Sequence, residues 1–192
     1  KRSMGNEEFR IQLGGKSLSP VDVSGIILRH LKEKCEEAFQ TEVKDAVITV
    51  PAYFRDHQRR ATLEAANLAG LNAIRIINEP TAAALAFSTH DQVREEKWLV
   101  YDLGGGTFDV TVLNVTPALK EVLASTGNNF LGGDDFDEKI VNWLVEKIRV
   151  EHQISLSAEI VALARLRSLA EDAKIALSNE IQTEISGSLV AQ

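Results

Sequence analysis

Between residues 46 and 87 the chain alternates strand and helix in a way that few architectures accept. "AVITV" (46–50) is an apolar run stopped by Pro51 and reads as a buried strand. Residues 56–69, rich in Ala and Arg, read as a helix opened by Asp56 and ended by Gly70. "AIRII" (73–77) is the next strand. "EPTAAALAF" (79–87) starts another helix, with Asn78 as its cap and Pro80 just inside. This order specifies an α/β unit. Upstream, residues 7–18 alternate around Gly14-Gly15 and predict a hairpin. A helix follows, capped by Ser19 and opened by Pro20, with Val23, Ile26, Ile27, Leu31, Cys35 and Ala38 on one face.

Past residue 90 the pattern changes. "HDQVREEK" (90–97) is polar and reads as a linker or exposed turn. Three strands then follow without helices, at 98–103, 107–115 and 119–126. Helices are expected over 134–151 and 158–178, and "IQTEISG" (181–187) is expected to begin a strand. The chain thus reads as two lobes meeting near residue 92. Trp98 and Trp143 fit core or rim positions.

The first two of those three strands are joined by "DLGGGTFD" (102–109). Three glycines strip every side chain from the turn, so backbone N–H groups can approach a ligand and form an anion-binding concavity. Asp102 and Asp109 would repel a phosphate unless a divalent ion, held through its waters, sat among them. Thr107 adds a hydroxyl at the tip. A flexible hairpin with solvated acids is the alternative. Glu79, at a strand end and a helix start, suits a metal or a water, but taken alone it reads first as a helix-capping acid. Glu171, Lys174 and Ser178, at i, i+3 and i+7, share one helix face that lines a ligand cleft or is simply solvated.

Other motifs fail. "GGKSLS" (14–19) ends like a P-loop, but the first glycine of that motif falls on Arg10. "GGGTFD" fails as a dinucleotide fingerprint because the third glycine position is Asp109 and the context is strand to strand. His30, His57, His90 and His152 have no metal or triad partner at useful spacing. The single Cys35 permits no internal disulfide and reads as a buried or idle thiol in a reducing compartment. The net charge of −7 argues against a nucleic-acid partner, and no apolar run approaches the roughly 18 residues of a membrane helix.

"VITVPAYFRDHQRRATLEAANLAGLNAIRIINEPTAAALAF", "VYDLGGGTFDVTVL" and "LGGDDFD" together resemble the 70-kDa heat-shock chaperones at their ATPase domain, in the family's order and spacing over essentially the whole chain. "FRIQLGGKSLSPVDVSGIILRHLKEKCEEAF" is similar to the shorter bacterial members of the Hsc type. The resemblance implies an α/β, actin-like ATPase (ribonuclease H-like) fold of two lobes. Residues 1–91 would be part of lobe I (subdomain IB and the end of IA), 92–131 the start of lobe II (subdomain IIA) and 132–192 the first part of subdomain IIB.

It also implies roles. Gly104, Gly105, Gly106 and Thr107 would surround the β- and γ-phosphates. Asp102, Asp109 and Glu79 would organise Mg2+ and K+, mostly through water. Lys1, in "KRSMG", would position the attacking water. Glu171, Lys174 and Ser178 would face the adenosine, and Ile175 stands where some members carry an arginine. Pro51 and Arg59 match a pair that relays nucleotide state to the peptide-binding domain, although a lysine common four residues later is Leu63 here. Arg75, Asn78 and Thr81 match positions near which a J-domain co-chaperone docks. A nucleotide-exchange factor and unfolded client peptides are further implied partners, and the cytoplasm is the implied location. The implied reaction is ATP hydrolysis, with the angle between lobes as its output.

The chain begins with Lys1, so it is expected to be a piece of a longer protein, incomplete at both ends. The family's first phosphate loop, its later adenosine loop and its peptide-binding domain are expected outside it. Alone, the chain is expected to bind ATP weakly or not at all and not to turn it over. Two other readings compete: a sugar kinase of the same superfamily, disfavoured by "NEPTAAA" and "VPAYF", and a non-hydrolysing docking module, disfavoured by Lys1, Glu79, Asp102 and Asp109.

Overall fold

The computed structural model describes residues 1–88, 95–156 and 159–187. Secondary structure is mixed α/β with small sheets. The chain divides into two compact units, the first made of Lys1–Asp102 and Thr107–Asn129, the second of Leu103–Gly106 and Phe130–Gln192. The expected lobe junction near residue 92 lies outside the described residues, as does His90.

In the first unit β1 (Ile11–Leu13) and β2 (Lys16–Leu18) form an antiparallel hairpin. Gly14 and Gly15 turn it with φ of 56° and 75°, a conformation that side chains resist. Helix α1 (Pro20–Phe39) starts at a full capping box: Ser19 Oγ accepts from the Asp22 amide, and Asp22 Oδ2 accepts from the Ser19 amide. Cys35 on this helix is exposed and free. Strand β3 (Asp45–Val50) pairs in parallel with β4 (Asn72–Asn78), and α2 (Asp56–Leu68) makes the crossover. Gly70, at φ 70°, lets the chain turn back, so the Leu71 amide donates to Ala66 O. Arg29 and Lys32 of α1 donate to the carbonyls of Leu68 and Gly70 at that same end. Ala66, Ala69 and Leu71 form the core here, against Leu28, Val43, Ala46 and Ile48.

Helix α3 (Glu79–Ser88) follows β4 directly. A three-stranded sheet then runs in the order β5 (Glu96–Leu103), β6 (Phe108–Val115), β7 (Lys120–Asn128), with β6 and β7 antiparallel. Strand β5 already begins at Glu96, inside the stretch expected to be a linker. Alternate residues of β6 are buried: Asp109, Thr111, Leu113 and Val115. The last two pack on Ala84 of α3 and on Trp98 and Val100 of β5.

In the second unit α4 (Gly133–His152) and α5 (Ile160–Ala176) pack through Val141, Leu156, Ala162, Leu166 and Ala170. Trp143 sits at the rim with Lys147 Nζ 5.2 Å from its ring centre. Helix α5 stops two residues earlier than expected: the Leu177 amide still reaches Ala173 O, but the Ser178 amide tightens onto Ile175 O. Residues 181–187, expected to begin a strand, form none. A strand exists only through a paired neighbour, and no described residue pairs with this segment.

Candidate functional site

The first unit gathers an acid–lysine cluster. Glu79 is the first residue of α3, placed there because β4 runs into the helix without a loop. Lys1 Nζ donates to both its oxygens, at 2.9 and 3.2 Å. Asp109 is 1 % exposed, and neither of its carboxylate oxygens has a hydrogen-bond partner. Burial pushes its pKa above the ordinary carboxylate value. The Glu79 and Asp102 carboxylates push it further, and Lys1 pulls it back. Those four groups therefore form one electrostatic neighbourhood.

An unpartnered buried carboxylate is costly in protein and favourable beside a cation. Asp109 has the free lone pairs and the anionic company that a hydrated divalent ion needs. Among the described residues no three His, Cys, Asp or Glu side chains converge tightly enough to ligate a bare ion. The donor set thus fits an ion that keeps most of its water. Thr107, 5 % exposed, is buried just before β6, two residues ahead of Asp109.

Gly127 is a residue the sequence reading missed. It faces Asp109 across the β6–β7 ladder. A Cβ there would stand 2.4 Å from Phe108 O and 2.9 Å from Asp109 Oδ1. Its one legible signal was a glycine inside a strand pattern, which marks close backbone approach.

The second unit contains the hairpin tip. None of Gly104, Gly105 or Gly106 has a positive φ, so turn geometry is not what demands glycine here. Packing is. The Gly133 amide donates to Gly104 O at 3.0 Å and the Asp134 amide to Gly105 O at 2.8 Å. A Cβ on Gly132 would lie 2.4 Å from Gly105 O and 2.6 Å from Gly106 N. The tip is therefore laid on the first turn of α4, whose orphan N–H groups hold its carbonyls. The "LGG" of "LGGDDFD" is what permits the approach.

Lys174 of α5 forms an ion pair with Asp137 of α4 at 2.7 Å and donates to Gly133 O at 3.3 Å. Glu171 is exposed and lines a cavity of about 510 Å³ with Asp134, Asp137, Glu138, Arg167 and Ser168. Ser178 and Ile175 are exposed too, but Ser178 lies past the end of α5 rather than on its face. The stripe of Glu171, Lys174 and Ser178 is thus split between a helix and the turn after it.

Pro51 is buried. Arg59 Nε donates to Phe54 O at 2.9 Å, and its Nη2 donates to Asn78 Oδ1 at 2.7 Å. Arg59 therefore ties the β3–α2 loop to the last residue of β4. Asn78, expected as a helix cap, offers its side-chain oxygen to this guanidinium. Arg75 lies exposed on β4 in register with Val47, and Thr81 is half-buried on α3.

The family model described as "Hsp70 protein" matches residues 1–191. The chain is 50% identical over 186 residues to the chaperone protein DnaK of Thermosipho melanesiensis, covering 97% of this chain and 31% of that protein. The DnaK of Thermosipho africanus gives the same identity and coverage. The DnaK of Thermotoga maritima is 49% identical over 191 residues, covering 100% of this chain and 32% of its own length. The chain thus spans about a third of these curated relatives. It belongs to the Hsp70 protein family.

Proposed function

We propose that this chain is part of the ATPase domain of an Hsp70-type chaperone, with the two-lobed, actin-like fold of that family. On this reading residues 1–91 belong to lobe I, 92–131 begin lobe II and 132–192 begin its outer subdomain. The observation that carries the reading is the buried, unpartnered Asp109 carboxylate beside the Lys1–Glu79 pair.

The reaction is phosphoryl transfer from ATP to water, in which the protein positions and neutralises rather than bonds covalently. Lys1 holds the attacking water. Glu79 fixes the lysine ammonium by a two-oxygen contact. Asp109, Asp102 and Glu79 would hold Mg2+, mostly through water, with K+ as a second cation. Bound there, Mg2+ would supply charge neutralisation to the phosphates. Gly104, Gly105, Gly106 and Thr107 receive the β- and γ-phosphates, and Glu171, Lys174 and Ser178 face the adenosine. Pro51 and Arg59 carry nucleotide state toward a peptide-binding domain. Arg75, Asn78 and Thr81 form part of a J-domain surface. A nucleotide-exchange factor, unfolded peptides and a cytoplasmic location complete the proposal.

Calorimetric titration with ATP and ADP, in Mg2+ and K+, tests it on this chain and on the full-length protein. Binding by the full-length protein alone, with hydrolysis lost in its Asp109→Ala variant, supports the reading. Absence of nucleotide binding by the full-length protein overturns it and leaves a docking module. Turnover that requires a sugar instead of responding to unfolded peptide points to a kinase.

A further inference from the structure

Lys1 stands one turn away from a buried anchor. The Met4 amide donates to Lys1 O at 3.0 Å, and the Asn6 amide donates to Ser3 O at 3.0 Å, so residues 1–6 form two overlapping turns. The Met4 side chain is 7 % exposed and packs in a cluster with Val50, Phe54 and Ala61, flanked by Val21 and Ile76. The next residue, Gly5, has φ of 79°, and a Cβ on it would lie 2.6 Å from His57 Cδ2 of α2. Asn6 closes the segment by accepting from the Glu8 and Phe9 amides.

These facts bear on an ammonium that must hold one position. Lysine has a flexible four-carbon stem, and its own ion pair with Glu79 is partly solvated, with the lysine side chain 48 % exposed. The backbone from which the stem departs also sets where that ammonium can sit. That backbone is closed by one hydrogen bond onto Met4, and Met4 is sunk among the end of β3 and the start of α2. Misplacement of a reacting group by about 1 Å can cost roughly a hundred-fold in rate.

We propose that Met4 is a positioning residue for Lys1: buried among Val50, Phe54 and Ala61, it sets the height of the lysine above Glu79, with Gly5 giving the clearance against His57. Met4 touches no substrate. The inference rests on the reading of Lys1 as the residue that holds the attacking water.

The test uses the full-length protein. ATP turnover is measured for Met4→Ala, Met4→Leu, Lys1→Ala and the Lys1→Ala/Met4→Ala pair. Met4→Ala is expected to lower kcat roughly ten-fold, with KM for ATP changed less than about two-fold. Met4→Leu, which refills the pocket, is expected to restore kcat. Met4→Ala is expected to add nothing once Lys1 is gone. If Lys1→Ala loses turnover while Met4→Ala keeps it, the inference falls and the reading of Lys1 stands. If Lys1→Ala hydrolyses ATP normally, that reading falls and takes the inference with it. A Met4→Ala loss that appears equally in the Lys1→Ala background marks a general packing defect and also overturns it. Should Met4→Ala fail to fold, Gly5→Ala takes its place. Its strained turn is expected to show the same kcat-only loss, and unchanged kcat in that variant overturns the inference.

Discussion

Gly127 and Asp109 oppose each other across the β6–β7 ladder, so close that a methyl group on the first would meet the carboxylate of the second at 2.9 Å. The carboxylate is held by walls rather than by hydrogen bonds. Gly127→Ala should destabilise the chain by about 1–3 kcal/mol through overpacking against Phe108 O and Asp109. Thermal melts check the cost, and amide exchange across β6 and β7 shows whether the ladder opens.

Asp109 itself weakens the fold when no cation is supplied. Its pKa is raised, so the folded state holds the proton more tightly than the unfolded chain does. Its favourable contribution is complete below the ordinary carboxylate value of 3.8 and is lost as pH rises through the raised value. Asp109→Asn should therefore melt higher than the parent sequence near neutral pH, in buffer without Mg2+ or nucleotide. The advantage should shrink as pH falls toward the ordinary carboxylate range. Differential scanning calorimetry across that range checks it, and equal midpoints at neutral pH contradict it.

Arg59 binds two separate parts of the fold, through Phe54 O and Asn78 Oδ1. Arg59→Ala should cost about 1–3 kcal/mol, since it strands the Asn78 oxygen and a loop carbonyl. Arg59→Lys should recover less than half, because an ammonium lacks the planar fork that reaches both. Urea unfolding of the three proteins measures this.

The Lys174–Asp137 pair is 29 % and 15 % exposed and joins α5 to the first turns of α4. Removing one partner leaves a poorly solvated charge, so Asp137→Asn or Lys174→Met should each cost about 1–3 kcal/mol. The double variant should be less unstable than the two losses added together. A double-mutant cycle from urea unfolding gives the coupling directly.

Most of the secondary structure was legible because its stops are local. Pro51 ends β3, Gly70 ends α2, and Ser19 with Asp22 starts α1, each through chemistry contained within a few residues. The candidate acids were legible for the same reason, since glycine and aspartate in one turn are unusual company. What escaped depends on distant partners. Gly127 matters only because β7 lies beside β6, and Met4 only because β3 and α2 meet over it. Residues 181–187 carry strand-forming side chains, yet no described neighbour completes a ladder. Asn78 looked like a cap from sequence, and 19 residues separate it from the arginine that binds its oxygen.

The hairpin tip belongs to a different unit from the strands that carry it. Residues 103–106 are covalently the end of β5 and its connection to β6, while the carbonyls of Gly104 and Gly105 accept from the Gly133 and Asp134 amides that open α4. The second unit is consequently not modular along the sequence. Excising it as residues 130–187 would leave behind the two glycines whose carbonyls satisfy the start of its first helix, and expressing residues 1–129 alone would strand those carbonyls in turn. Any dissection of this protein into autonomous pieces must carry the glycine tip twice, once on each side of the cut.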